Sequence, residues 1–169
     1  METDKFNTIF FLGIGGIGMS ALARYFHEKG VDVSGYDKNP TWLTQQLIAD
    51  GIFVSYEDKV AYPEKHYDLV VYTPAVGEDN IQLKYFRSNG YVVKKRAEVL
   101  AEITREKFTI AIAGTHGKTT ITSMVAHILH AAGKEMTAFV GGICKNYDSN
   151  YISNGDNGWI IVEADEFDR

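Results

Sequence analysis

The sequence has only one cysteine, Cys144, so no disulfide can form within the chain. Proteins of oxidising compartments often depend on disulfides, and a single cysteine is more typical of a reducing cytoplasm. The sequence also lacks an apolar run of the roughly 18 residues that a membrane helix needs. No basic segment followed by an apolar run stands at its beginning. We therefore expect a cytoplasmic protein that does not enter a membrane.

Positive charge is also scarce. The 169 residues include 17 Lys and Arg against 22 Asp and Glu, which gives a net charge of −5, and no Lys or Arg run forms a stripe. Nucleic-acid-binding proteins need a basic patch, so we predict no nucleic-acid partner. Hydrophobic residues make up 45% of the sequence, which is enough to form a core in one large domain or two small ones.

Short apolar runs alternate with helix-length segments over the first part of the chain. The predicted strands cover residues 8–12, 31–36, 52–54, 69–72 and 91–93. Helices are predicted over residues 17–29, from Asn39-Pro40 to Gly51, and over residues 81–89. This alternation predicts an α/β domain with a Rossmann-like parallel sheet over residues 1–106.

A second unit is predicted over residues 107–169, with strands at 108–112, 136–140 and 159–162 and a helix at 121–132. We expect a turn at Gly141-Gly142 and a loop or weak hairpin in the polar stretch 146–158. The apolar residues of the helix predict its buried face, formed by Ile121, Met124, Val125, Ile128 and Leu129. This unit resembles the start of a P-loop-type ATPase domain.

A glycine-rich turn follows the first predicted strand. Gly13, Gly15 and Gly18 have the G-x-G-x-x-G spacing of the dinucleotide fingerprint, between a strand and a helix. Such glycines permit a tight turn and close approach of the backbone to a diphosphate. Asp37, 19 residues beyond Gly18, is either a ribose contact or an exposed acid after a strand. The pattern favours a nucleotide diphosphate pocket over a turn that only packs a helix.

A second glycine-rich turn precedes the helix of the second unit. Backbone amides of such a turn bind phosphates, Lys118 adds a full charge near the β- and γ-phosphates, and Thr119 offers a hydroxyl to Mg²⁺. The first glycine of the standard P-loop is replaced by Ile112, so the motif is the shorter Gly-x-x-Gly-Lys-Thr. His116, inside the loop, either faces the transferring phosphate or only shapes the turn.

Glu163 ends the last predicted strand, where a carboxylate can hold Mg²⁺ directly or through water. Asp165 and Glu166 are alternatives for this role. We prefer Glu163 because it lies nearest the end of the strand.

The two glycine turns together resemble the Mur ligase family. Residues 13–23, GIGGIGMSALA, resemble the opening of the ligases that act on UDP-N-acetylmuramate. Residues 114–120, GTHGKTT, resemble the family's ATP loop, in which the missing first glycine is normal. Residues 95–102, KRAEVLAE, and 162–166, VEADE, extend the resemblance over essentially the whole chain.

The resemblance implies an ATP- and Mg²⁺-dependent ligase. ATP would phosphorylate the carboxylate of UDP-N-acetylmuramate, and the amino group of L-alanine would attack the acyl phosphate. Lys118 would stabilise the transferring phosphoryl group, and Thr119 and Glu163 would hold Mg²⁺. The residues implied to bind ATP are Gly114, Thr115, His116, Gly117, Lys118, Thr119 and Thr120. The residues assigned to the sugar nucleotide are Gly13, Gly15, Gly16, Ile17, Gly18, Ser20, Asp37, Thr73 and Ala75.

Members of the family are longer than this chain, so we expect the chain to be their N-terminal portion, without the L-alanine site. We predict that it has no ligase turnover alone. Its incomplete second domain, with about three strands and one helix, is expected to expose a sheet edge and an apolar face. That domain would be weakly ordered or would associate with a second copy of the chain.

Three other functions remain open. Within the family, the murein-peptide ligase branch departs from the Gly-Gly-Ile-Gly-Met-Ser-Ala pattern of residues 15–21, so the branch that adds L-alanine is preferred. An NAD-dependent oxidoreductase would use the first glycine turn but would give Lys118 and Glu163 no role. A non-catalytic nucleotide-sensing module would bind nucleotide without turnover.

Overall fold

The computed structural model of the chain describes residues 6–60, 66–155 and 158–164. The chain divides between Val99 and Leu100 into two compact units. The predicted domain boundary between residues 106 and 107 stays a prediction. The first unit contains β1 (Thr8–Leu12), α1 (Ile17–Glu28), β2 (Asp32–Tyr36), α2 (Trp42–Ala49), β3 (Phe53–Ser55), β4 (Leu69–Tyr72), α3 (Ile81–Ser88) and β5 (Val93–Lys95). α4 (Arg96–Arg105) crosses the division, so its residues 96–99, Arg96 among them, belong to the first unit. The second unit then contains β6 (Thr109–Ile112), α5 (Lys118–Ala131), β7 (Met136–Cys144), β8 (Ser149–Ser153) and β9 (Trp159–Glu163).

The first unit is built on a parallel sheet with the strand order β3-β2-β1-β4-β5. Parallel neighbours need crossover connections, and α1, α2 and α3 follow β1, β2 and β4. The central strands are buried, with Leu12, Val70 and Val71 at 0% exposure. The predicted α/β class with a parallel sheet is confirmed. Strand order reverses between β1 and β4, and sheets of this type bind ligands beyond the carboxyl ends of the strands at that point.

Two element boundaries differ from the prediction. α2 begins after Thr41, not at Asn39-Pro40, because Thr41 and Thr44 form a reciprocal cap in which each hydroxyl accepts a hydrogen bond from the other's amide. β5 lies two residues later than predicted, since Val93 pairs with Val70. Both shifts come from pairings that apolar periodicity does not encode.

Asp68 joins the amino ends of β1 and β4. Its Oδ2 accepts hydrogen bonds from the amides of Asn7 and Thr8 at 2.8 and 3.0 Å. The bond from the Asn7 amide, with those from Thr8, lowers the pKa of the Asp68 carboxyl. A lowered folded-state pKa stabilises the fold above the unfolded-state value, and that stability is lost as the pH falls through the folded-state value.

We therefore expect Asp68→Asn to lower the stability of this unit by about 1 kcal/mol near neutral pH. The difference from wild type should begin to shrink below about pH 4, where the carboxyl of the unfolded chain becomes protonated, and should disappear below the lowered folded-state pKa. Hydrogen exchange of peptides covering β1 and β4 measures it across this pH range. Glu28→Gln, on the exposed end of α1, is the control. A constant difference at all pH values would contradict the expectation.

The second unit has a sheet with the order β6-β9-β7-β8. β9 is parallel to both β6 and β7, whereas β8 is antiparallel to β7. The described part of this unit thus has four strands instead of about three. The additional strand, β8, lies in the polar stretch 146–158, which was predicted to be a loop or a weak hairpin, and it forms a hairpin with β7. The predicted turn at Gly141-Gly142 is wrong, since β7 continues through both glycines and its register with β8 shifts between Phe139 and Cys144.

α5 buries a different face from the one predicted. Thr122 and Ala126 are fully buried, and Val125 and Leu129 pack partly against the core. Three residues of the predicted buried face are instead exposed, at 48%, 59% and 64% for Ile121, Met124 and Ile128. The prediction failed because the helix packs on the sheet through a narrow small-residue stripe. The expected exposed apolar face is confirmed.

Within the ranges that the structure describes, no helix is long and apolar enough to cross a membrane.

Candidate functional site

A cleft of 610 Å³ lies at the carboxyl ends of the strands of the first sheet. Small-molecule sites typically occupy roughly 300–1,000 Å³. Burial, with the carboxylates of Asp58 and Asp37 nearby, raises the pKa of the Tyr36 hydroxyl in its wall, so this group stays a neutral donor. Six of the predicted sugar-nucleotide residues line the cleft: Gly13, Gly15, Gly16, Asp37, Thr73 and Ala75.

The glycine turn uses most of its amides inside the unit. The N–H groups of Gly13 and Ile14 both donate to the carbonyl of Tyr36, at 2.8 and 3.0 Å, and that of Gly16 donates to Gly13. Gly13 has a φ of +81°, and a β-carbon there would lie 2.6 Å from the methyl group of Thr73. The turn is therefore fixed against β2 and Thr73, and amides that can receive an anion lie in the first turn of α1.

Asp37 contacts the same turn from the end of β2. Its Oδ2 accepts a hydrogen bond from the Gly15 amide at 2.8 Å, and its Oδ1 accepts one from Asn39 at 3.2 Å. A β-carbon on Gly15 would lie 2.8 Å from that Oδ2, so the carboxylate reaches the turn only because residue 15 is glycine. Each carboxylate oxygen has a further lone pair, which lets Asp37 accept a hydrogen bond from a ligand hydroxyl.

The amino end of α1 carries positive potential from two sources. Its N-cap, Gly16, is exposed and provides no side-chain cap, and its first turn holds no acidic residue. The guanidinium of Arg96 lies beside the first turn, because a β-carbon on Gly18 would be 2.8 Å from its Nη1. Arg96 was not predicted as a site residue, although it lies in residues 95–102, which carry part of the family resemblance, and it follows β5 directly.

The remaining predicted residues of this site, Ile17, Gly18 and Ser20, all lie in α1 but differ in burial. Gly18 and Ile17 belong to the first turn of α1 and are partly buried. The Ser20 hydroxyl is fully buried and donates to the carbonyl of Ile17 at 3.1 Å, so it is directed into the helix. The assignment of Ser20 to a ligand stays a prediction.

The second glycine turn connects β6 to α5. Gly117 is the N-cap of α5 with a φ of +76°, the left-handed conformation that favours glycine. The Nζ of Lys118 donates to the carbonyl of Gly114 at 2.6 Å, so the lysine folds back over the loop. Thr115, His116 and Thr120 are exposed, with His116 Nδ1 3.2 Å from the Thr115 hydroxyl. The loop thus presents helix amides and one cation on an open surface, which suits a polyphosphate.

Glu163 and Thr119 meet beside this loop. β9 is paired with β6 on one side and β7 on the other, which places the carboxyl end of β9 next to the loop that follows β6. The Thr119 hydroxyl donates to Glu163 Oε2 at 3.2 Å, and the Gly141 amide donates to Glu163 Oε1 at 2.7 Å. The family resemblance assigned Thr119 and Glu163 to one site, whereas the contact with Gly141 was not predicted.

A hydroxyl and a carboxylate oxygen are suitable ligands for Mg²⁺, which proteins often hold through one or two carboxylates together with substrate phosphates. Over residues 6–60, 66–155 and 158–164, no cluster of three or more His, Cys, Asp or Glu side chains is placed to hold a metal. The alternatives Asp165 and Glu166 lie outside the described residues.

Comparison with known families assigns both units. A family model described as the Mur ligase family, catalytic domain, matches residues 8–108, which is more than half of the chain. The chain belongs to the Mur ligase family. A second model, the Mur ligase middle domain, matches residues 112–157 and so covers the Lys118 loop.

Two curated relatives of this chain share one name. The UDP-N-acetylmuramate–L-alanine ligase of Flavobacterium johnsoniae is 51% identical over 173 residues, covering 100% of this chain and 38% of that protein. The ligase of the same name from Porphyromonas gingivalis W83 is 51% identical over 166 residues, covering 95% of this chain and 36% of that protein. The chain thus spans less than two-fifths of the length of these relatives.

Solved Mur ligase structures share the fold. The UDP-N-acetylmuramate-alanine ligase MurC of Thermotoga maritima has a TM-score of 0.84 at 36% identity, over 92% of this chain and 36% of that one. A ligase from Neisseria meningitidis, named for UDP-N-acetylmuramate and L-alanyl-gamma-D-glutamyl-meso-diaminopimelate, has a TM-score of 0.86 at 29% identity, over 96% of this chain and 53% of that one.

Proposed function

We propose that this chain supplies the sugar-nucleotide-binding and phosphate-binding parts of an ATP-dependent ligase that joins L-alanine to the carboxylate of UDP-N-acetylmuramate. The observation that carries the proposal is the group formed by Lys118, Thr119 and Glu163 beside a glycine turn. A hydride-transferring dinucleotide enzyme has no use for such a group. An acid–amine ligase needs these three side chains, because its carboxylate substrate must first be converted to an acyl phosphate. The amine then attacks the acyl carbon and displaces the phosphate.

The first cleft is assigned to UDP-N-acetylmuramate. Its diphosphate would lie against the first turn of α1 and the guanidinium of Arg96, where amides and a fixed cation favour an anion. Asp37 would accept hydrogen bonds from a ribose hydroxyl while it holds the Gly15 amide. Thr73 and Ala75 would contact the uridine side of the ligand.

The second site is assigned to MgATP. Amides of the turn and the first turn of α5 would bind the phosphates, and Lys118 would neutralise charge on the transferring phosphoryl group. Thr119 and Glu163 would hold Mg²⁺, which when bound neutralises charge on the phosphate oxygens. The residues of the chain itself position these groups and supply no nucleophile.

L-alanine is proposed as the acceptor because the two curated relatives described above are named UDP-N-acetylmuramate–L-alanine ligases. Both are about 50% identical to this chain. The Neisseria meningitidis ligase described above, whose name includes a peptide, is 29% identical to this chain with a TM-score of 0.86. The murein-peptide ligase therefore stays the second candidate within the family.

Isothermal titration of the chain with UDP-N-acetylmuramate and, separately, with NAD tests the assignment of the first cleft. We expect the sugar nucleotide to bind and NAD to give no saturable heat, because we assign the cleft to a uridine diphosphate sugar. UDP alone should bind more weakly than the sugar nucleotide. Saturable NAD binding without sugar-nucleotide binding would contradict the proposal and favour the oxidoreductase alternative.

A further inference from the structure

Two glycines in the middle of β7 lie beside the proposed cation site. β7 pairs with β9 up to the partners Phe139 and Val162, one step before Glu163. Gly141 follows two residues after Phe139, so its backbone passes the carboxyl end of β9 where Glu163 lies. A glycine within a strand often marks a place where another group approaches the backbone closely.

The contact at Gly141 is close on two counts. Its amide donates to Glu163 Oε1 at 2.7 Å, a short bond of the charge-assisted kind. A β-carbon at this position would lie 2.6 Å from Glu163 Oε2 and 2.9 Å from the carboxyl carbon, distances at which the carboxylate must move. Residue 141 thus both holds one oxygen of the acid and leaves room for the other.

Gly142 makes a milder contact of the same kind. A β-carbon there would lie 3.0 Å from the methyl group of Thr119, which is tight but can be relieved by a small shift. The two glycines therefore adjoin the two side chains proposed to hold Mg²⁺, one each.

We infer that Gly141 is a positioning residue for the cation site: its amide holds Glu163 Oε1, so that Oε2 is presented beside the Thr119 hydroxyl. The inference rests on the proposed MgATP site. Groups that orient a metal ligand from behind typically change metal affinity by about 10- to 100-fold when they are replaced. Gly141 would orient Glu163 through its main-chain amide, a role that the side chains in the sequence do not indicate.

The test is the Mg²⁺ concentration that half-maximally promotes binding of the non-hydrolysable nucleotide AMP-PNP to the chain. Gly141→Ala is expected to raise this concentration about 10-fold. Binding of the nucleotide without metal should be unchanged, because the amides of the Lys118 loop are untouched. Gly142→Ala should raise the concentration about 2- to 3-fold and serves as the second variant if Gly141→Ala does not fold.

A double-mutant cycle separates positioning from a general packing effect. In the Glu163→Gln background, Gly141→Ala should change the Mg²⁺ requirement by less than about 2-fold, since the carboxylate it acts through is gone. If both glycine variants bind nucleotide with the wild-type Mg²⁺ dependence, or if Gly141→Ala has its full effect in the Glu163→Gln background, this inference is overturned alone. Wild-type nucleotide binding that does not respond to Mg²⁺ would overturn both the inference and the proposed MgATP site.

Discussion

The Gly16→Asp variant is expected to bind UDP-N-acetylmuramate at least about 100-fold more weakly than the wild-type chain. Two unit charges about 4 Å apart repel each other by about 4 kcal/mol at an effective dielectric constant of about 20. The new carboxylate would stand at the amino end of α1, where the diphosphate is proposed to lie. Isothermal titration with the sugar nucleotide measures the loss.

The fold should tolerate this substitution. Gly16 has extended dihedral angles, φ −64° and ψ 148°, and the nearest atom to a β-carbon would be the Gly13 carbonyl oxygen at an ordinary 3.5 Å. Aspartate is also among the preferred N-cap residues and interacts favourably with a helix amino terminus. Thermal unfolding of this unit should therefore occur at the wild-type temperature or higher.

Gly16→Asn is the matched control, because asparagine has the same shape and capping ability without the charge. We expect it to lose part of the affinity, since its side chain competes for the same amides, but clearly less than the aspartate variant. Equal affinities for wild type, Gly16→Asn and Gly16→Asp would show that no anion binds at this helix terminus.

The Lys118→Met variant is expected to bind AMP-PNP with Mg²⁺ about 100-fold more weakly than wild type. Hydrogen bonds to charged groups contribute about 1.5–3 kcal/mol each, and 1.4 kcal/mol corresponds to about 10-fold in affinity. The Lys118 ammonium group lies over the loop, where it donates a hydrogen bond to the Gly114 carbonyl. Methionine retains the length of the side chain but provides no charge, and fluorescence or calorimetric titration measures the change.

Lys134→Met provides the control for net charge. Lys134 is exposed beyond the end of α5, at the opposite end of that helix from the loop. The same loss of one positive charge there should change nucleotide affinity by less than about 2-fold, because exposed charges farther apart than about 10 Å are largely screened. Similar losses in both variants would mean that Lys118 acts only through the overall charge of the unit.

The sequence was sufficient to predict the parallel sheet and both glycine turns. Apolar runs followed by glycine have local physical causes: a buried strand needs a continuous apolar run, and the turn after it needs glycine. Gly117 is an example, since its left-handed conformation is required by the loop geometry itself. The family resemblance assigned Thr119 and Glu163 to one Mg²⁺ site, and the structure brings them into contact because β6 and β9 are adjacent parallel strands.

Long-range contacts account for what was missed. Arg96 lies beside Gly18 only because α4 starts at the carboxyl end of β5, a relation between residues far apart in the chain. The turn predicted at Gly141-Gly142 was wrong because glycine pairs signal both turns and close approaches within strands, and only the presence of Glu163 distinguishes them. The prediction of the buried face of α5 was wrong because hydrophobicity alone does not determine which side of the helix packs against the sheet.

The bond between the Lys118 ammonium group and the Gly114 carbonyl has a consequence for the heat of nucleotide association. One of the three N–H donors of Lys118 is already bonded before a phosphate arrives, so a phosphate that takes this donor replaces an existing partner. The enthalpy recovered at this lysine is then the difference between two strong contacts. In return, the side chain is held over the loop beforehand and loses little rotational freedom when the phosphate arrives.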